Sequence, residues 1–172
     1  MQVVFGGGCF WCVEAAFKEL FGVYEVVPGY AGGDAPSPSY RQVCSGRSGH
    51  AEVVRVSYDE DEVSFRTLLD VFFRIHDPTQ VDRQGADVGS QYRSIILYYN
   101  ELQREVAEEY MQDIASSYDQ PIATQLVPLV DFFVAEEEHH DYFEKHPSDA
   151  YCLYHAAPKV RLVREEFLVR DA

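Results

Sequence analysis

At 172 residues, 47% of them hydrophobic, the chain is long enough to bury a sizeable core and too apolar to be disordered. Fourteen basic residues against 29 acidic ones leave a net charge of −15, which argues against nucleic acid or an anionic membrane surface as partner. No apolar run approaches the roughly 20 residues that span a bilayer, no signal-peptide pattern opens the chain, and four cysteines are too sparse for a disulfide-stapled scaffold, so a cytoplasmic chain with reduced thiols is expected.

Residues 3–5 read as a strand running into Gly6, Gly7 and Gly8. Residues 9–20 read as a helix, because Phe10, Val13, Phe17 and Leu20 recur at three- and four-residue spacing, and Gly22 ends it. A second strand is predicted over 23–27, then a glycine- and proline-rich loop over 28–40. Residues 51–58 carry apolar side chains on both alternating faces, as in a buried strand. Residues 64–76 predict a helix that stops before Pro78. A polar loop follows over 77–91, of a length that usually marks function. Residues 93–99 read as a strand, Asn100 with Gln103 as a capping box, and 101–117 as a helix. Residues 122–127 and 132–135 read as extended, 136–145 as a short helix, and 159–169 as a last amphipathic helix after Pro158. Strands that follow one another without an intervening helix favour a mixed α+β domain over a doubly wound parallel sheet.

The sharpest feature is Gly6-Gly7-Gly8-Cys9-Phe10-Trp11-Cys12. A glycine turn delivers Cys9 to the first position of a helix, where unpaired N–H groups and the helix dipole favour the thiolate, the nucleophilic form of a thiol. Phe10 and Trp11 cannot share one helix face, so at least one of them flanks the sulfur as an apolar wall. Zinc at Cys9 and Cys12 would need two more ligands, usually as a second close pair. Cys44 and Cys152 are isolated, and His139 and His140 point apart on a helix, so no metal is expected.

Glu52, after the glycine-rich approach Gly46-Arg47-Ser48-Gly49-His50, suits a general acid if a dry pocket raises its pKa. His50 reads as a structural hydrogen-bonding group. Asp87 and Tyr92, at the end of the polar loop, either face a ligand or serve the turn and the core. Tyr30 and Tyr40 suit either a pocket for a small apolar group or the core.

Taken together, these segments resemble the peptide methionine sulfoxide reductase A family. The resemblance runs through GGGCFWCVEAAF at 6–17, VVPGYAGG at 26–33, and PSYRQVCSGRSGHAEVVRVSYD at 38–59. It continues through FFRIHDPTQVDRQGADVGSQYRSIILY at 72–98, FFVAEEEHHDYF at 132–143 and YCLYHAAPKV at 151–160. It implies a two-layer α+β sandwich, a mixed sheet with a ferredoxin-like core and flanking helices, in a single domain over 1–172. It also implies reduction of the S epimer of methionine sulfoxide, free or in proteins, without metal or organic cofactor. By resemblance Cys9 is the nucleophile, and Phe10 and Trp11 hold the substrate methyl. Glu52 protonates the sulfoxide oxygen, Tyr40 and Tyr92 bind that oxygen, and Asp87 helps to fix the substrate. Attack leaves Cys9 as a sulfenic acid, a second thiol condenses with it to a disulfide, and thioredoxin or a similar dithiol reduces the disulfide.

Two thiols compete as the resolving group. Cys12 is near, because helical residues three apart lie about 5–6 Å apart at Cβ, close to disulfide reach. Cys152 resembles the family's later cysteine, but the glycine-rich tail that often follows is replaced by Leu153-Tyr154-His155-Ala156-Ala157-Pro158. Proximity favours Cys12. Cys44 reads as a buried or spectator thiol. A general CxxC thiol–disulfide oxidoreductase working through Cys9 and Cys12 is the alternative reading, and it has no use for Glu52, Tyr40 and Tyr92 around the sulfur.

Overall fold

The structure, a computed structural model, describes residues 1–169; residues 170–172 of the expected domain lie outside them. Strand β1 (Gln2–Gly6) leads through the glycine turn into helix α1 (Phe10–Lys18), and Cys9 is the residue that caps α1 rather than its first member. Gly8 adopts φ +100°, a conformation that disfavours any side chain. Strand β2 spans Val23–Ala31 and so runs beyond the predicted 23–27 into the expected loop. Pro28 is tolerated there because its carbonyl accepts from Ala135 N–H at 2.9 Å past the end of the neighbouring strand, where no N–H is needed. Gly29 is required by that neighbour: a Cβ there would lie 2.5 Å from the Phe133 carbonyl oxygen.

Helix α2 (Tyr40–Cys44) was not anticipated, although Ser39 and Gln42 form a reciprocal capping box that the sequence spells out. Strand β3 (Ala51–Tyr58) and helix α3 (Phe65–Ile75, capped by Ser64) match expectation. The long polar loop holds a small hairpin, β4 (Arg83–Gln84) with β5 (Asp87–Val88), and a 3₁₀ turn over Ser90–Tyr92. Strand β6 (Ile95–Tyr98) precedes α4 (Glu101–Ile114), which ends in a 3₁₀ turn over Ala115–Ser117. Only half of the expected capping box forms. Asn100 Oδ1 accepts from Gln103 N–H, but Gln103 Oε1 accepts from Tyr99 N–H.

Strands β7 (Gln125–Pro128) and β8 (Phe132–Val134) follow. The predicted helix over 136–145 is instead broken into a 3₁₀ turn, Glu137–His139, and helix α5, Tyr142–Lys145. The break is Asp141 at φ +56°, whose N–H donates to Glu14 Oε1 of α1 and whose carboxylate pairs with Lys18. The last helix also differs: a π-helical turn over Cys152–Ala156 leads straight into α6 (Ala157–Glu166), with Pro158 in its first turn.

The main sheet has the order β7-β6-β1-β3-β2-β8, antiparallel throughout except for β6 with β7. It is a mixed sheet in an α+β fold. Phe5 of β1 stacks between Phe17 of α1 and Phe72 of α3, at 5.2 and 4.7 Å between centroids. The helices therefore bury the face that carries Val3, Phe5, Val54, Val56 and Ile96. The opposite face carries a smaller cluster of Val4, Ala31, Ala51, Val53, Ile95 and Leu97. Register places the candidate chemistry: Phe5 pairs with Val54, so the end of β1 that feeds Cys9 lies beside the start of β3 that carries Glu52. Among the described residues no helix is long and apolar enough to cross a membrane.

Candidate active site

The first N–H groups of α1 have no partners within the helix, and the site uses them. Phe10 N–H donates to Glu52 Oε1 at 3.2 Å. Trp11 N–H donates to the Cys9 sulfur, and Cys12 N–H closes the turn on the Cys9 carbonyl at 3.2 Å. The helix end does not by itself make Cys9 a thiolate. Burial, the adjacent Cys12 and the nearby Glu52 carboxyl push the Cys9 thiol well above its ordinary value, against the pull of Trp11 N–H. Cys12 goes the other way. A hydrogen bond from Cys9 holds it below the usual thiol value, against burial, and Lys159 of α6 adds positive charge.

Glu52 is 2% exposed. Burial, reinforced by Asp87 and Cys12 and opposed by Phe10 N–H, pushes its carboxyl up to about 8. It is therefore a protonated acid at neutral pH, the state a proton donor needs. Tyr40 and Tyr92 both sit in the field of Glu52, and burial pushes both phenols far up, so both are hydrogen-bond donors. Asp87 of β5 influences Glu52, Tyr92 and Tyr151, and it accepts a hydrogen bond from the Tyr151 hydroxyl. Cys9, Glu52, Tyr40, Tyr92 and Asp87 thus come together at one end of β1 and α1.

Phe10 and Trp11 each pack into aromatic neighbours beside Cys9. Phe10 is buried against Tyr30, Tyr40 and His139 at 5.7, 6.4 and 5.3 Å between centroids. Half-buried Trp11 stacks on Tyr142 at 3.7 Å and meets the edge of Tyr151. The Trp11 indole N–H donates to His139 Nδ1 at 3.1 Å. Tyr142, Tyr151, His139 and Glu136 were not singled out as site residues. Tyr30 carries its hydroxyl to Glu136 at 3.3 Å rather than lining an open pocket. His50 is structural as expected, its two ring nitrogens engaging Gly33 N–H and the Ala35 carbonyl.

The three other thiols separate clearly. Cys12 and Cys152 are buried in one apolar cluster with Ala156, flanked by Cys9, Tyr142, Phe143 and Tyr151. Burial and Asp149 push the Cys152 thiol up to about 11. Cys44 is exposed on α2, not buried, and its sulfur accepts a hydrogen bond from Tyr40. Ligand atoms of Glu136, Glu138 and His139 lie within 4.8 Å of one another. His139 Nδ1, however, is committed to accepting from Trp11, so its Nε2 carries the proton and is no metal ligand in this arrangement.

The arrangement is that of a thiol-based redox site: the Cys9 thiol at a helix end beside a carboxyl that burial keeps protonated, among aromatic rings, with two further thiols packed against it. The sequence matches the peptide methionine sulfoxide reductase family over residues 1–170. It is 60% identical over 164 residues to the peptide methionine sulfoxide reductase MsrA of Natronomonas pharaonis, covering 94% of this chain and 92% of that protein. The fold is similar to the reduced form of Mxr1 from Saccharomyces cerevisiae, with 34% identity, a TM-score of 0.83 and 90% of each chain covered. It is also similar to methionine sulfoxide reductase A of Corynebacterium diphtheriae, with 39% identity and a TM-score of 0.78, over 85% of this chain and 74% of that one. The chain belongs to the peptide methionine sulfoxide reductase family.

Proposed function

We propose that residues 1–172 act as one catalytic domain that reduces the S epimer of methionine sulfoxide, free or in proteins, and is recycled by thioredoxin or a similar dithiol in the cytoplasm. The observation that carries the reading is the buried Glu52 carboxyl held by Phe10 N–H at the end of the helix that Cys9 caps, where burial pushes it up to about 8. Oxide is a poor leaving group, so the sulfoxide oxygen must gain a proton as the Cys9 sulfur attacks the substrate sulfur. Glu52 supplies that proton, and the Tyr40 and Tyr92 hydroxyls stabilise the charge that develops on oxygen. Phe10 and Trp11 receive the methyl group, and Asp87 fixes the substrate beside Tyr151. The thiol and the sulfoxide become a Cys9 sulfenic acid and methionine, the oxygen passing from substrate sulfur to Cys9.

Cys12 then attacks the sulfenic sulfur and releases water, leaving a Cys9–Cys12 disulfide. The lowered Cys12 thiol and its contact with Cys9 support it as the resolving group over Cys152, whose thiol is pushed up to about 11. The external dithiol returns both thiols and leaves oxidised. A general CxxC oxidoreductase would have no role for Glu52 or the two phenols. The four antiparallel strands β6-β1-β3-β2, with α1 between β1 and β2 and α3 between β3 and β6, support a ferredoxin-like core in a two-layer sandwich. Single-turnover reduction of separated epimers tests the function. The S epimer should yield about one methionine per reduced enzyme without added dithiol and the R epimer none; equal use of both epimers would refute the reading.

A further inference from the structure

We infer that His139, held in turn by Glu136, is a positioning residue that sets the angle of the Trp11 indole and so the fit of the cleft to a methyl group. The inference rests on the proposed reduction of a methyl sulfoxide. The indole N–H is a donor only, so the His139 nitrogen that meets it at 3.1 Å is an acceptor. A neutral imidazole then carries its proton on Nε2. That nitrogen is buried, lacks a well-formed hydrogen bond, and lies 3.5 Å from Glu136 Oε2 and 3.7 Å from Glu138 Oε1. A fixed tautomer is what a positioning imidazole needs, and the carboxylates on its far side select it.

Glu136 is itself tied down from below. Its carboxylate accepts from the Tyr30 hydroxyl of β2 and from Tyr40 N–H of α2 at 3.2 Å. The imidazole also packs against three aromatic rings, with centroids 4.3 Å from Tyr40, 5.3 Å from Phe10 and 5.9 Å from Trp11. His139 is 4% exposed, so a leucine in its place fills the buried site and offers the indole N–H no acceptor. The stack on Tyr142 fixes the plane of the indole but allows it to slide, because stacking is weakly directional. The hydrogen bond to His139 removes that freedom. A wall held at one angle admits a methyl and excludes a larger alkyl; a wall free to slide does so less well.

The test uses the fact that Trp11 is the only tryptophan. In ¹⁵N-labelled protein its indole gives one N–H resonance, shifted downfield by the bond to Nδ1. His139→Leu should move that resonance to the position of an unbonded indole, whereas His139→Asn, whose amide oxygen falls near Nδ1, should hold most of the shift. With a methyl sulfoxide substrate His139→Leu should raise KM about tenfold and leave kcat within about twofold, as when binding common to ground and transition states is lost. Preference for methyl over ethyl sulfoxide should shrink in parallel, and His139→Asn should restore most of it. In a Trp11→Phe background His139→Leu should add nothing further, because the two act as one unit. If His139→Leu does not fold, His139→Gln, which reaches Glu136 but offers no acceptor at Nδ1, carries the same expectations. An indole resonance that does not move refutes the positioning. A resonance that moves while KM and methyl preference stay unchanged refutes the effect on substrate. The resonance is read without turnover, so a failure of the proposed activity leaves the positioning claim tested on its own.

Discussion

The N–H of Phe10 and the carboxyl of Glu52 are hydrogen-bonded at 3.2 Å, which fastens that carboxyl to the residue that follows Cys9. The bond spans 42 residues of sequence, from the helix that presents Cys9 to the strand that presents Glu52. The Glu52 carboxyl and the Cys9 sulfur therefore move together, and a shift of α1 relative to β3 changes both. The same N–H lowers the carboxyl pKa, but burial outweighs it, and the balance leaves the group near 8.

Glu52→Gln keeps the hydrogen bond to Phe10 and removes the proton. It should slow the chemical step about 10²–10⁴-fold, the usual range for a general acid. Single-turnover methionine release measures this directly. The pH dependence has a definite sign. Cys9 thiolate formation raises kcat/KM with pH in wild type and variant alike, so the ratio of wild type to Glu52→Gln isolates the carboxyl: it should be fully present below about 8 and shrink as pH rises through that value, where the carboxyl ionises. A ratio that grows through this range would exclude Glu52 as the donor.

The thiol arrangement predicts which disulfide forms first. Enzyme quenched after one turnover and mapped by mass spectrometry should show Cys9 joined to Cys12. Cys12→Ser should keep a full burst of methionine and lose thioredoxin-driven turnover, while Cys9→Ser should lose both. Cys152→Ser should retain most of the turnover. A Cys9–Cys152 bridge without any Cys9–Cys12 species would overturn the assignment.

Much of this site was legible because its signals are local. The glycine turn, the adjacent aromatics and the cysteine spacing lie within seven consecutive residues, 6–12. Helices α1, α3 and α4 showed their periodicity or their caps. What was missed depends on contacts across the fold. His139 and Glu136 sit in a stretch that reads as helical, and it breaks because Glu14 and Lys18 of α1 hold Asp141 at positive φ. Tyr151 and Tyr142 come close to Cys9 only once the C-terminal segment packs back on α1. The upward shift of the Cys9 thiol, against the pull of the helix end, has the same origin. A helix terminus is visible in sequence, and burial is not.

Gly8→Ala tests the turn that delivers Cys9. At φ +100° any Cβ is strained, and it would also lie 2.9 Å from Gln84 Cβ. Gln84 holds β4 in place through Asp77, whose N–H it accepts at 3.0 Å and whose carbonyl it meets at 2.9 Å. Strain plus displacement should destabilise the fold by about 1–3 kcal/mol and lower kcat/KM at least about tenfold. Urea unfolding followed by Trp11 fluorescence measures the first effect and steady-state kinetics the second. Wild-type values for both would mean that the turn relaxes freely.

Glu14 carries the last prediction, for stability against pH. It is 2% exposed on α1 and accepts Asp141 N–H, and burial pushes its carboxyl from the ordinary 4.5 up to about 7. The folded state therefore binds this proton more tightly than the unfolded one. Stability associated with Glu14 is fully present below about 4.5 and is lost as pH rises through about 7. At about 1.4 kcal/mol per pKa unit the loss is on the order of 3 kcal/mol at most. Glu14→Gln keeps the acceptor for Asp141 N–H and cannot ionise, although it gives up attraction to Lys18. The variant should match wild type near pH 5 and exceed it by about 1–3 kcal/mol at pH 8, read from urea midpoints at the two pH values. The segment that Glu14 holds leads to Tyr142 and His139, so wild type should also release it more readily at alkaline pH. Hydrogen exchange at Asp141 N–H should quicken with pH beyond the ordinary base-catalysed rise in wild type and not in Glu14→Gln. Equal stability of the two proteins at pH 8 would show that Glu14 ionises without penalty where it lies.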